Sequence, residues 1–207
     1  MPFLLPAPQY RMDKGKQHRL TEAITPYKDV ILFVAALLCA HFFWKFTVIA
    51  DEHGGPVFWF GLDISKPFDL LSAHIASVAY QLIHLSKDTI HYIEPYTLRF
   101  DTGYAVIIVW SCTGLKQSFI WFVIMLTARG DRKKKLWFIP LGFVCIYLFN
   151  LLRVTAITMI MEHHHELFEL FHSYVFKYLF YFMLFMLWVW WTEKIGNPKN
   201  TTSETGS

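Results

Sequence analysis

The chain has 207 residues, of which 55% are hydrophobic, 18% aromatic and only 17% charged, with a net charge of +3 and a mean hydropathy of +0.34. A water-soluble domain of this length carries more charge, distributed along amphipathic elements, so that class is excluded. The densest basic patch, Arg129 to Lys135, is a short loop between apolar runs rather than a nucleic-acid surface, and two of the three cysteines (Cys39 and Cys145) sit inside apolar runs, which excludes a disulfide scaffold.

Residues 1–29 form a polar tail carrying Arg11, Lys14, Lys16, Arg19 and Lys28. The first apolar run, 30–50, is one of four, with 104–128, 136–161 and 173–192. Each reaches the roughly 20 residues that a membrane-spanning helix needs. The first run begins too late for a standard cleavable leader and no small-residue cleavage site follows it, so it reads as an uncleaved anchor. Cys39 is no lipidation site, because the bulky Leu38 precedes it.

Residues 51–67, with Gly54, Gly55, Pro56 and Pro67, read as an outer loop. Residues 68–93 place Leu71, Ile75, Val78, Leu82, Leu85 and Ile93 near helical spacing, but also Asp69, His74, Gln81, His84, Lys87, Asp88 and His91. A span with that polar load is expensive, whereas an amphipathic helix lying in the interface is not. Parity decides between them. Basic residues mark the cytoplasmic side, and the clusters before the first run, at 129–135 and at Lys194 and Lys199 share one side only if 68–93 does not cross. The expectation is four spans with both termini cytoplasmic; a fifth span through 68–93 is the alternative.

Residues 98–108 predict a short β-hairpin turning at Asp101, Thr102 and Gly103. The second span then begins at Thr113, directly after Trp110, Ser111 and Cys112. A thiol at the head of a helix meets free N–H groups and the positive dipole end, which favour the thiolate. Gly114 allows close approach of another backbone, and Ser111 and Thr113 supply hydroxyls. An inert, capped thiol is the alternative reading.

The third span rises from the basic loop, so Arg153 lies 17 residues above Leu136, roughly 25 Å up a helix and close to the far edge of a ~30 Å core. An Arg at such a depth costs about 2.5–3.5 kcal/mol on insertion scales, less near the edge, and calls for a partner or a cavity. Asn150, one turn below, shares its face and is placed to orient the guanidinium. Reaching to lipid headgroups is the other use of such an Arg. His163, His164 and His165, with Glu162, Glu166 and Glu169, read as a solvated outer loop; consecutive side chains point apart and rarely chelate one metal, so no metal site is expected. His172 opens the fourth span on the same side as Cys112, and Trp188, Trp190 and Trp191 read as an interfacial belt at its far end. Residues 193–207 are expected to be a cytoplasmic tail, leaving 30–192 as one membrane-embedded domain. The fold class is an all-α membrane protein, a bundle of about four transmembrane helices with an outer amphipathic helix and a short β-hairpin.

Cys112, Arg153 and His172 thus converge on one face of the membrane. A thiolate attacks, an imidazole moves protons and a cation holds an oxyanion, the needs of cysteine acyl transfer. At Cys112-Thr113-Gly114, at Asn150-Leu151-Leu152-Arg153-Val154 and at His172, the chain resembles the exosortase/archaeosortase family over residues 98–191. The resemblance implies that Cys112 is the nucleophile and that Arg153 and His172 complete the site. It further implies, as partners, secreted proteins with a C-terminal motif, a transmembrane helix and a basic tail, which are cut and passed to a cell-surface acceptor. No cofactor is implied. The alternatives are a non-enzymatic assembly or export protein that binds an anionic lipid or glycan through Arg153, and, more remotely, a metal carrier using the His triplet with His172.

Overall fold

Long apolar runs become long helices, because a chain in lipid must satisfy its backbone internally. The computed structural model describes residues 27–51 and 54–196; most of the two expected tails, residues 1–26 and 197–207, lies outside them. Among the described residues, three helices are long and apolar enough to cross a membrane: α1 (Lys28–Thr47), α4 (Arg132–His163) and the helix Leu170–Ile195. The last is α-helical over α5 (Phe176–Trp190), with wider π turns at Leu170–Val175 and Trp191–Ile195. Between them lies α3 (Leu115–Thr127), apolar but only 13 residues long. At 1.5 Å per residue it is about 20 Å long, short of a full crossing by itself. The expected second span is therefore shorter at its head, beginning at Leu115 rather than Thr113.

The first membrane core packs Phe33, Ala36 and Ala40 of α1 against Ile120, Trp121, Ile124 and Met125 of α3, Phe138 and Ile146 of α4, and Phe180, Leu184 and Trp188 of α5. Trp121 is fully buried because Gly142 of α4 leaves room for it; a Cβ at Gly142 would lie 2.0 Å from the indole nitrogen. That nitrogen donates to the Ile139 carbonyl at 3.2 Å.

At one end of this bundle, Asp29 of α1 pairs with Arg129 at 3.5 Å. Trp191 donates its indole N–H to the Arg129 carbonyl at 2.8 Å, and the Lys134 ammonium donates to the Ile195 carbonyl at 3.0 Å. The start of α1, the α3–α4 loop and the end of the last helix therefore share one end, as the parity argument requires. The same contacts correct the aromatic belt: Trp191 is fully buried and Trp188 nearly so, leaving Trp190 as the exposed member of the three.

The second core lies at the opposite end. Here α2 (Ser65–His84) buries Phe68, Ser72, Ile75, Ala76, Ala79 and Ile83, a stripe whose small members let it approach α4 closely. Leu82 and Leu85, expected on the apolar face, are exposed. Although α2 has the length of a span, it is not apolar enough to be one. The helix ends eight residues or more before the expected boundary, because β4 (Ile90–Ile93) leaves it to join β5 (Thr97–Phe100) and β6 (Ala105–Ile107) in an antiparallel sheet, order β4-β5-β6. The expected hairpin is its β5–β6 half, turning at Gly103 with φ +93°. Leu98 and Phe100 face inward onto Ile75, Ile83, Leu151 and Val154. A second sheet of β1 (Val48–Ala50), β2 (Val57–Trp59) and β3 (Leu62–Asp63) replaces the top of the expected first span and structures the loop after it.

Glu162 corrects another expectation. It is not part of a solvated loop but is buried at the C-terminal end of α4, where the Lys87 ammonium donates to it and Thr89 donates at 3.3 Å. This clamps the α2–β4 connection onto α4. His163 lies against the same pair, 3.4 Å from Glu162, while His164 pairs with Glu166 at 3.3 Å; both side chains are exposed.

Candidate active site

The site lies where the two cores meet. After β6 the chain makes a single 3-10 turn, Trp110–Cys112, then Thr113, then Gly114 at φ +75°, and only then enters α3. Three contacts hold this corner. The Thr113 hydroxyl donates to the Trp110 carbonyl at 2.7 Å, the Trp110 indole donates to the Asp51 carbonyl at 2.7 Å, and Asn150 Nδ2 donates to the Cys112 carbonyl at 2.7 Å.

Gly114 is required twice over. Its left-handed backbone disfavours any side chain, and a Cβ there would lie 3.3 Å from Asn150 Cγ. The close neighbour that the glycine admits is thus the Asn150 side chain, not a backbone. Asn150 itself is buried and spends its amide on the backbone of Cys112; its Oδ1 has no partner, so it does not orient the guanidinium as the spacing suggested.

Arg153 is buried, with 8% of its surface exposed, which sets aside a reach to lipid headgroups. It stands close enough to Cys112 for each to act electrostatically on the other. Its Nε has no hydrogen-bond partner. The Gln117 Oε1, one turn into α3, is a buried acceptor in the same state. Arg153 Nε, a donor, and Gln117 Oε1, an acceptor, thus belong to two residues that line the same cleft as Cys112, and together they match the carbonyl and N–H of a peptide group. Gln117 was visible in the sequence only as a polar residue out of place in a span.

Burial pushes the Cys112 thiol up from its ordinary value; the Arg153 guanidinium, a hydrogen bond from the Ser111 side chain and one from the Val109 backbone act in the opposite direction. Desolvation is the largest effect at this cysteine and outweighs the groups that favour the thiolate.

Cys112, Arg153 and His172 line one cleft of about 980 Å³, together with Ser111 and Gln117. His172 sits in the opening π turn of the last helix, its ring stacked on Phe168 with centroids 5.0 Å apart and planes 12° from parallel. The three residues named from the sequence thus face a common space from three different elements. Thr113 and Asn150 support the corner from behind it.

Residues 54–191, about two thirds of the chain, match the family model of the transmembrane exosortases. No curated protein and no solved structure matches the chain.

Proposed function

The chain belongs to the transmembrane exosortase family, and from that premise we propose that it is a cysteine transpeptidase in which Cys112 cuts C-terminal sorting signals of secreted proteins. The observation that carries this reading is the shared cleft of Cys112, Arg153 and His172.

The chemistry follows from the parts. A peptide carbonyl enters beside Cys112, with its oxygen toward the Arg153 guanidinium and its N–H toward Gln117. His172 takes the thiol proton, because a thiol raised by burial needs a base to become a nucleophile. The sulfur attacks the carbonyl carbon, negative charge collects on the oxygen, and the buried Arg153 stabilises it. His172 returns the proton to the leaving amine as the C–N bond breaks, and a thioester remains on Cys112. An acceptor nucleophile, deprotonated by His172, attacks that thioester and the sulfur leaves as thiolate.

The substrate in this reading carries a short motif, a transmembrane helix and a basic tail, and the acceptor is a cell-surface group. The membrane is the cytoplasmic membrane. Shared by the α1 start, the α3–α4 loop and the last helix's end, the basic bundle end faces the cytoplasm by the positive-inside rule, and the cleft opens on the opposite side. With α3 counted as a span this gives four crossings and both termini inside.

The test is co-expression with a tail-bearing secreted protein, read by its mass. Cys112→Ala should abolish processing and Cys112→Ser should do nearly the same, since a hydroxyl lacks the thiol's acidity and nucleophilicity. His172→Ala should lower turnover more than binding. Full processing by Cys112→Ala would end the thiol mechanism.

A further inference from the structure

The cleft meets one of the two sheets along its edge. Its wall takes in every residue from Ala105 to Cys112. Side chains alternate between the two faces of a strand, so consecutive strand residues can border one space only along the strand's edge. β1 borders the same cleft differently, through the alternate residues Val48 and Ala50 and hence through one face. β6 is the outer strand of the order β4-β5-β6, so the edge turned to the cleft is the one opposite β5.

The ladder fixes which groups that edge presents. The Phe100 N–H donates to the Tyr104 carbonyl at 2.8 Å, and the Ile108 N–H donates to the Tyr96 carbonyl at 3.0 Å. With Leu98 opposite Val106 between them, Tyr104, Val106 and Ile108 turn their backbone groups to β5, and Ala105 and Ile107 turn theirs to the cleft. Both of the latter are exposed, Ile107 by 54%. Val109 is next in this row and still extended, at φ −86° and ψ 171°. Its backbone hydrogen-bonds the Cys112 thiol, and its carbonyl accepts from the Cys112 N–H at 2.8 Å. The row of outward backbone groups thus ends at the sulfur. Donors and acceptors repeating every second residue, about 7 Å apart, match the backbone of an extended peptide.

We propose that β6 is the docking strand for the substrate: the segment ahead of the substrate's transmembrane helix adds to the Ala105–Ile107 edge as a fourth strand, parallel to β6, and is led by it to Cys112. The direction follows from the layers. The substrate's helix lies in the bilayer beside the bundle, and the residues ahead of it reach the outer layer that holds the sheet, so they run toward the thiol in the same sense as β6. The choice of occupant rests on the transpeptidase reading, but the pairing needs no thiol chemistry.

Disulfide trapping tests it in full-length protein with Cys39, Cys112 and Cys145 exchanged for Ala and a single Ile107→Cys or Ala105→Cys. The probe is a co-expressed, cysteine-free, tail-bearing secreted protein, with one cysteine walked along the segment ahead of its transmembrane helix and copper phenanthroline as oxidant. Adjacent strands bring facing side chains to about 5 Å, within reach of a disulfide, and turn the next ones away. Ile107→Cys should therefore trap every second probe position. Ala105→Cys should trap in the same phase, with its strongest position two residues nearer the probe's N-terminus. Trapping at successive positions, at helical spacing, in the opposite order or nowhere would overturn the proposal. Because this enzyme lacks Cys112, the result stands whether or not the thiol cuts, so the two readings fail separately. In enzyme with Cys112 intact, Ile107→Pro deletes one outward N–H and no bond to β5. It should lower processing at limiting probe about fivefold, the net worth of one backbone hydrogen bond, with recovery at excess probe and an unchanged thermal midpoint. Undiminished processing by Ile107→Pro at limiting probe would also overturn the proposal.

Discussion

Cys112 is held between opposing influences, and their order has a measurable consequence. Burial is the larger and raises the thiol, while Arg153 lowers it. The rate of Cys112 alkylation should therefore climb with pH through a midpoint above that of an exposed thiol. Arg153→Gln should move the midpoint to still higher pH, since only the lowering influence is lost. Arg153→Lys should restore most of the midpoint but not the processing activity, because a point charge lacks the planar fork that holds an oxyanion and a neighbouring acceptor together. An unchanged midpoint in Arg153→Gln would show that the guanidinium does not act on the thiol. By contrast, exchanging His163, His164 and His165 together for Ala should leave processing within a few-fold of the parent, and its loss would bring the metal reading forward. The gathering of Cys112, Arg153 and His172 was legible in the sequence because basic residues and span lengths set which ends meet. The sign of the thiol's shift was not, since burial depends on packing from β6 and α4 that no local pattern announces. Nor was the Lys87–Glu162 pair, whose partners are 75 residues apart.

At the scale of elements, the helices were legible and their ends were not. Residues 48–50 continue an apolar run, yet pair as a strand with 57–59. Residues 90–93 keep the spacing of the preceding helix, yet pair with 97–100. In both places cross-strand partners distant in sequence override local periodicity. The contact of α3 with α4 yields a sharper prediction. Gly142→Ala would drive a methyl into the buried Trp121 indole, so the thermal midpoint of the purified protein should fall, by an overpacking cost of about 1–3 kcal/mol. Trp121→Phe combined with Gly142→Ala should recover part of it. If Gly142→Ala alone leaves the midpoint unchanged, the described α3–α4 packing is incorrect. Gly114→Ala should remove processing with a smaller effect on the midpoint, because it displaces Asn150 and the Cys112 backbone rather than the bundle core.

For the molecule as a whole, one helix joins two cores. The lower half of α4 belongs to the transmembrane bundle and the upper half to the layer of α2 and the β4–β6 sheet, with the cleft at the junction. The orientation predicts that a single cysteine at position 132 resists an impermeant maleimide in intact cells, whereas one at position 164 reacts. Reversal of that pattern would put the cleft on the cytoplasmic face. The central claim, that the Cys112 sulfur carries the cut protein, is tested most directly by trapping that intermediate. In a variant with Cys39 and Cys145 exchanged for Ala, co-expressed with a tail-bearing substrate and quenched in acid, intact-mass spectrometry should find the enzyme joined to the substrate's N-terminal portion. Neutral hydroxylamine should release that adduct, and Cys112→Ala should lack it. Processed substrate accumulating from the Cys112→Ala enzyme, or an adduct on any other residue, would contradict the account.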